Sequence, residues 1–518
     1  MDHVQIIFIL LCSAVLLIGL AQKIHVPYPI ALVLGGVGLG FVPGLDDIFF
    51  DPNIILEIVL PPILYYAAFT IPFREFKNNW KDIFSLALGL VIFTTIVIGV
   101  LFKALFPQFP WALAFAFGAI VSPPDAVATT AILRRLSISP RLISLLEGES
   151  LINDASAIVL YRVAILALLS GTFYISDAAL FFAQEALGGI AVGFVLGYAF
   201  QLFSRRYLEP VLGVVFSFTL PYLTYIIANL LGVSGVLAVV VNGLIGASIV
   251  RTHRSSLRRV LGFAGWDIFN ILMNCFVFIL IGLQLRILMQ VLTLDQALLY
   301  SGYALLISFF MVLVRMFWVY SRAALYYFRY WKRPKSAELC PQVLREAAII
   351  SWSGMRGIVS LAVALALPIP LDGRSEIIFI SFVVILISLL VPGLTLPMFI
   401  RWLKIPSHHK HDDRKIRKQL VDIAEENLKK LFDNQKISDS EYNTLINYFI
   451  SHHRVLEMNH LSPSESEQFE KARLKVIQSQ RKKLFEMWEL LEIDDNTLGH
   501  MQSELDMVEV HVARAELN

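Results

Sequence analysis

The sequence predicts an all-α, polytopic membrane protein of about thirteen transmembrane helices, followed by a helical tail outside the bilayer. Three observations carry this. Only 16% of the 518 residues are charged and 57% are hydrophobic, whereas a soluble chain carries about 25% charged residues. The mean hydropathy is +0.68. The apolar residues are gathered into runs long enough to span a bilayer, and the basic residues fall on alternate loops between them.

The runs lie near 4–21, 26–42, 53–71, 83–106, 111–133, 143–170, 184–203, 209–229, 231–250, 265–288, 296–322, 345–368 and 376–402. The first has no basic flank ahead of it and no small-residue cleavage pattern behind it, so it reads as a membrane helix and not a cleaved signal. One set of alternating loops holds Lys23, Arg74, Lys77, Lys81, Arg134, Arg135 and Arg141. It continues through Arg205 and Arg206, the Arg251–Arg259 cluster, the stretch from Arg322 to Arg345, and Arg401 with Lys404, 21 basic residues in all. The opposite set holds Lys103, Arg286 and Arg374, together with the acidic stretch Asp46–Asp51. This asymmetry puts the basic side in the cytoplasm, the N-terminus outside and the C-terminus inside. The expected location is a bacterial plasma membrane.

Residues 1–405 form the expected membrane domain and 406–518 the tail. Residues 1–410 hold 28 Lys/Arg against 20 Asp/Glu, and residues 411–518 hold 15 against 21. The basic residues form no stripe, so nucleic-acid binding is excluded as a role. Ile416, Leu420, Ile423, Leu428 and Leu431 recur at helical spacing, as do Phe469, Val476, Leu484, Met487 and Leu491. Pro463 between Ser462 and Ser464 marks a helix start. The tail reads as a regulatory or assembly module with no catalytic or nucleotide-binding motif. The three cysteines form neither a disulfide framework nor a metal-ligand spacing, and no cofactor or enzymatic activity is expected.

Charged residues inside the membrane are costly, by at least about 2.5–3.5 kcal/mol at the bilayer centre on insertion scales, so each needs a reason. Six are candidates: Asp125, Glu149, Asp154, Arg162, Arg315 and Arg356. Asp125 follows Ser122-Pro123-Pro124, roughly 21 Å along from Trp111. The two prolines remove backbone donors and break the helix, which leaves carbonyls for a cation, a water or a side chain to use. The next run carries Glu149-Ser150 and Asn153-Asp154. Ser150 and Asp154 share a face, and Glu149 and Asn153 an adjacent one. A hydroxyl, an amide and a carboxylate near mid-membrane make an oxygen cage for a dehydrated cation; an interhelical hydrogen-bond cluster is the alternative. Trp352-Ser353-Gly354-Met355-Arg356-Gly357 reads as a second break, at Gly354 and Gly357. Arg356 is expected in an ion pair with an intramembrane acid, and Arg315 and Ser353 in supporting roles. Arg162 is expected to snorkel or to pair with Asp177.

In a thirteen-helix count the breaks fall in helices five and twelve. That is position five of each half, and an offset of seven makes the halves inverted repeats. Inverted repeats with broken helices at mid-membrane are the pattern of secondary transporters. With no phosphate-binding Gly-rich Lys-Ser/Thr motif, coupling is expected to come from an ion gradient.

Four signatures resemble the monovalent cation:proton antiporter family, of the sodium/proton exchanger (NhaP/NHE-like) type. They are Leu60-Pro61-Pro62-Ile63-Leu64, Ser122 to Ala128, Gly148 to Ala155, and Trp352 to Ser360. The resemblance covers about residues 1–404. It implies a homodimer with a mobile core, in which Asp154 alternately holds a proton and Na⁺ (or Li⁺ or K⁺), with Ser150 and Asp125 helping to hold the ion. It also implies electroneutral exchange from the Asn153-Asp154 pair, and a structural ion pair between Glu149 and Arg356. Three places depart from the family: Pro124 stands where many relatives have Thr, Tyr65-Tyr66-Ala67-Ala68 stands where relatives often carry an acid or amide, and Asn229 stands where they commonly have Glu. Alternatives to Na⁺/H⁺ exchange are K⁺/H⁺ exchange, a passive channel, and a transporter-like sensor signalling through the tail.

Overall fold

The computed structural model describes residues 3–24, 27–42, 55–71, 73–136, 138–170, 175–253, 256–330, 336–368 and 371–403, with seven isolated residues in the tail. The chain divides into two units, Met1–His408 and His409–Asn518. In the second, the Phe432 and Tyr442 rings meet with centroids 5.0 Å apart. The expected tail helices around residues 416–431 and 469–491, with their start at Pro463, lie outside the described residues, as does Asp46–Asp51.

Every regular element described in the first unit is a helix. It opens with α1 (His3–Lys23) and α2 (Tyr28–Leu39). The third span begins as a π turn over Ile55–Val59 and continues as α3 (Leu60–Thr70). Pro61 and Pro62 lack the N–H groups that would bond to the carbonyls one turn back, and the backbone widens immediately ahead of them. Next come α4 (Trp80–Leu105), with its own π turn at Ser85–Leu90, and α5 (Trp111–Val121). The chain then leaves helical geometry from Ser122 to Ala126 and resumes as α6 (Val127–Arg135).

The long helices α7 (Pro140–Ser170), α8 (Ile175–Tyr207), α9 (Pro210–Leu230), α10 (Gly235–His253), α11 (Ser256–Val291) and α12 (Leu294–Tyr330) follow. The turn between α9 and α10 needs Gly232, whose φ of 70° is strained for any residue with a Cβ. After α13 (Ser336–Trp352) the helix is interrupted again, resuming as α14 (Ile358–Leu365) and closing with α15 (Arg374–Trp402). Among the described residues seven helices are long and apolar enough to cross a membrane, and five shorter apolar ones accompany them. The unit is a multi-pass membrane bundle.

The helices associate in two sets. α1, α2, α3 and α8–α11 pack mainly on one another, with α2 against α11 and α10 against both α3 and α8. At the α2–α11 contact a Cβ on Gly36 would strike the Ile279 carbonyl, and one on Gly282 the Val33 carbonyl. Such close backbone approach is how membrane helices gain contact when lipid supplies no hydrophobic drive between them. The second set is α4–α7 with α12–α15, and it contains both interruptions.

Candidate functional site

The two interruptions meet. The Asp125 N–H donates to the Met355 carbonyl at 2.6 Å, a main-chain bond joining one break to the other. Thr129, one turn into α6, donates its hydroxyl to the Ser353 carbonyl at 3.2 Å. A Cβ on Gly357 would collide with the Asp125 side chain, so only glycine lets the two segments come this close.

Each break satisfies its own stranded groups. The Ala119 carbonyl, which Pro123 cannot serve, accepts the Ser122 hydroxyl at 3.0 Å. The Pro124 carbonyl accepts Asn153 Nδ2 at 2.8 Å. The Ala126 N–H donates to Ser150 Oγ at 3.2 Å, and the Val127 N–H to Asp125 Oδ1 at 2.8 Å. These bonds tie the first break to α7, the helix carrying Asn153 and Asp154. In a bilayer no lipid could supply these partners.

The arginines are distributed differently from the sequence expectation. Glu149 does not pair with Arg356. It accepts a bidentate ion pair from Arg315 of α12, at 2.5 and 2.8 Å, with the two side chains 1% and 3% exposed. Arg315 Nε also donates to the Ile350 carbonyl at 2.8 Å. The reason is geometric: Arg356 turns toward the crossing, where Nε donates to the Val121 carbonyl at 3.2 Å and a second nitrogen to the Gly354 carbonyl. Those carbonyls sit where α5 and α13 end, so the guanidinium occupies the negative poles of two half-helices. Its own N–H donates to Ser388 Oγ at 3.1 Å. Arg162 pairs with Glu185 of α8 at 3.1 Å; the Asp177 side chain lies outside the described ones.

Asp125 and Asp154 therefore lie in a surround that is otherwise locked. Asn153 is fully buried, and Glu149, Arg315 and Arg356 are at most 4% exposed, whereas both aspartates keep partial access to solvent. Among the described residues no hydrogen bond reaches the Asp154 carboxylate. Two deep oxygens are also unpartnered, Asn153 Oδ1 and Ser353 Oγ. The structure thus brings together Asp125, Ser150, Asn153, Asp154, Pro123, Pro124, Ser353, Gly354, Arg356 and Gly357, and sets Glu149 with Arg315 behind them. Sequence reasoning missed Thr129, in the first turn of α6, and Ser388, which lies in α15 with Ser381 and Thr395 seven residues to either side.

Comparison with known proteins gives the family. Residues 7–402 match the family described as sodium/hydrogen exchanger, transmembrane. The chain is 30% identical over 523 residues to the uncharacterized Na⁺/H⁺ exchanger YjcE of Escherichia coli K12, covering 94% of each chain. It is 30% identical over 412 residues to the Na⁺/H⁺ antiporter NhaH of Halobacillus aidingensis, covering 76% of this chain and 96% of that one. It is also 29% identical over 511 residues to the sodium, potassium, lithium and rubidium/H⁺ antiporter of Bacillus pumilus, covering 94% and 74%. Its fold is similar to that of the sodium proton antiporter MjNhaP1 of Methanocaldococcus jannaschii, with a TM-score of 0.61, 22% identity and coverage of 78% and 99%. This chain is a member of the sodium/hydrogen exchanger family of monovalent cation/proton antiporters, a secondary active transporter and not an enzyme.

Proposed function

We propose that exchange proceeds by competition between Na⁺ and H⁺ for Asp154. The observation that carries this is the contrast in accessibility and partnering. Asp154 is partly reachable and carries no hydrogen bond among the described residues, within a shell whose other charges are paired or capped. Deprotonated Asp154 binds Na⁺, with Asp125 and Ser150 contributing oxygens. Protonated Asp154 does not bind it. Moving a bare carboxylate past an apolar barrier is prohibitive, so only the neutralised site crosses between faces. One cation moves for one proton, and exchange is electroneutral.

In this reading α5/α6 and α13/α14 are each one interrupted span, the fifth and twelfth of thirteen, and the two halves of the bundle are inverted repeats. The basic loops face the cytoplasm of a bacterial cell, the N-terminus is outside, the tail regulates or assembles the transporter, and two copies form a dimer. The second set of helices, which contains the crossing, moves against the first.

The test is ion-resolved antiport in proteoliposomes. Asp154→Asn is expected to fold, judged by a monodisperse elution profile, and to abolish exchange; full exchange by that variant would sink the assignment. Apparent Na⁺ affinity is expected to weaken as pH falls, and binding independent of pH would overturn competition. A second reading, K⁺/H⁺ exchange, is favoured by the breadth of ions in the name of the Bacillus pumilus relative and by Pro124, which supplies no hydroxyl. Cation-dependent dequenching of a pH dye with Na⁺, Li⁺ and K⁺ separates the two.

A further inference from the structure

Two polar pairs lie outside the crossing, one in each set of helices. Tyr66 of α3 donates its hydroxyl to Asp267 Oδ1 of α11 at 2.6 Å. Arg134 of α6 donates to Glu147 Oε1 of α7 at 2.6 Å. The first pair belongs to the set without the interruptions and the second to the set that carries Asp125 and Asp154. α3 touches both α7 and α11, which brings the pairs to one rim. Arg134 acts electrostatically on Tyr66 as well as on Glu147, and Asp267 acts on both Arg134 and Tyr66.

The rim lies on one side of the crossing. Glu147 precedes Asp154 by seven residues, about 10 Å along α7, and Arg134 follows Asp125 by nine, roughly 13 Å. Under the topology proposed above, on which this inference rests, that is the cytoplasmic side. The Arg134 side chain is 60% exposed and Glu147 17%, so the rim is wet while both aspartates behind it remain partly reachable. Each set has braced its own charge, Asp267 by a neutral hydroxyl and Arg134 by a carboxylate. Asp267 has no salt bridge among the described residues.

We propose that Arg134 and Asp267 are the two jaws of a cytoplasmic gate. When the crossing swings to face outward, α6 and α7 close on α3 and α11. Arg134 then bridges Glu147 and Asp267, sealing the path behind Asp154. Opening returns Arg134 to Glu147 alone and leaves Asp267 on Tyr66, the arrangement seen here. Tyr66 keeps the catch in position, a use for a residue that departs from the family pattern.

The first test is a double-mutant cycle on exchange turnover in proteoliposomes. Arg134→Gln and Asp267→Asn are each expected to slow turnover about three- to fivefold, the population shift that a partly exposed ion pair of this kind supports. The double variant should be no slower than the slower single one. Losses that multiply, or no loss on Asp267→Asn, overturn the gate. The second test reads distance instead of transport. Arg134→Cys/Asp267→Cys, in a chain whose Cys12, Cys275 and Cys340 are replaced by Ser, is treated with a short bis-methanethiosulfonate. Cross-linking with reversible loss of exchange is expected; no cross-link, or a cross-linked protein with full exchange, refutes the proposal. The cross-link itself forms whether or not Asp154 is the competing carboxylate, so failure of that assignment remains distinguishable from failure of the gate.

Discussion

Arg315 of α12 lies flat against both carboxylate oxygens of Glu149 in α7, one helical turn from Asn153 and five residues from Asp154. A bidentate pair of this kind has a fixed orientation as well as a strong attraction. It pins the rotation of α7 and so aims the face that carries Ser150 and Asp154. It also keeps the Glu149 charge occupied, leaving the two aspartates as the carboxylates free to meet an ion.

Removing one member of this pair strands the other in a nearly dry site. Glu149→Gln or Arg315→Met alone is expected to destabilise the protein by about 3–5 kcal/mol, and the double Glu149→Gln/Arg315→Met by much less. Thermal unfolding of the purified variants in detergent checks the ordering. A double variant as unstable as the sum of the singles would contradict it.

Gly357 has no room for a methyl group because the Asp125 side chain fills the space. Gly357→Ala is expected to force the breaks apart at a cost of about 1–3 kcal/mol and to lower exchange by about tenfold or more. Gly302, in α12, has nothing within 4 Å of its missing Cβ, so Gly302→Ala should leave exchange unchanged. The paired assay distinguishes crowding from helix propensity.

Asn153 is fully buried and its amide holds the Pro124 carbonyl. Asn153→Ala should leave that carbonyl unserved and cost about 1–3 kcal/mol. Asn153→Asp should do worse, because an ionised side chain there has no donor to offer. Melting temperatures of the two variants, compared with wild type, give the order directly.

Thr129 presents a milder case. Its hydroxyl bonds to the Ser353 carbonyl, which also accepts the Met355 N–H at 3.0 Å. Thr129→Val therefore orphans no carbonyl and should cost only about 0.5–1.5 kcal/mol. Exchange should persist at near wild-type rate, measured beside Gly357→Ala in the same vesicles.

The contrast between these residues shows what a sequence can reveal of such a bundle. The break at Pro123-Pro124 was legible because proline acts on its own backbone and needs no distant partner. The shared face of Ser150 and Asp154 was legible for the same reason, since helical geometry alone sets it. The partner of Glu149 was not. Arg315 is 166 residues away and meets Glu149 only because α12 packs alongside α7, whereas Arg356 looked nearer to the site and proved to be engaged by two carbonyls. Asp267 is 201 residues from Tyr66, so a tyrosine that departs from the family pattern in sequence gains its partner from a helix that sequence periodicity could not place beside it.

The bond from the Asp125 N–H to the Met355 carbonyl has a consequence for how such a protein can change over generations. It runs between main-chain atoms, so it needs no particular side chain at 355, and asks for a residue other than proline at 125 and for glycine at 357. The joint between the two half-helix pairs is thus exposed to point mutation at few positions, of which Gly357 is one. Positions such as 150 and 129, which reach the crossing through their side chains, can vary while that main-chain joint is kept.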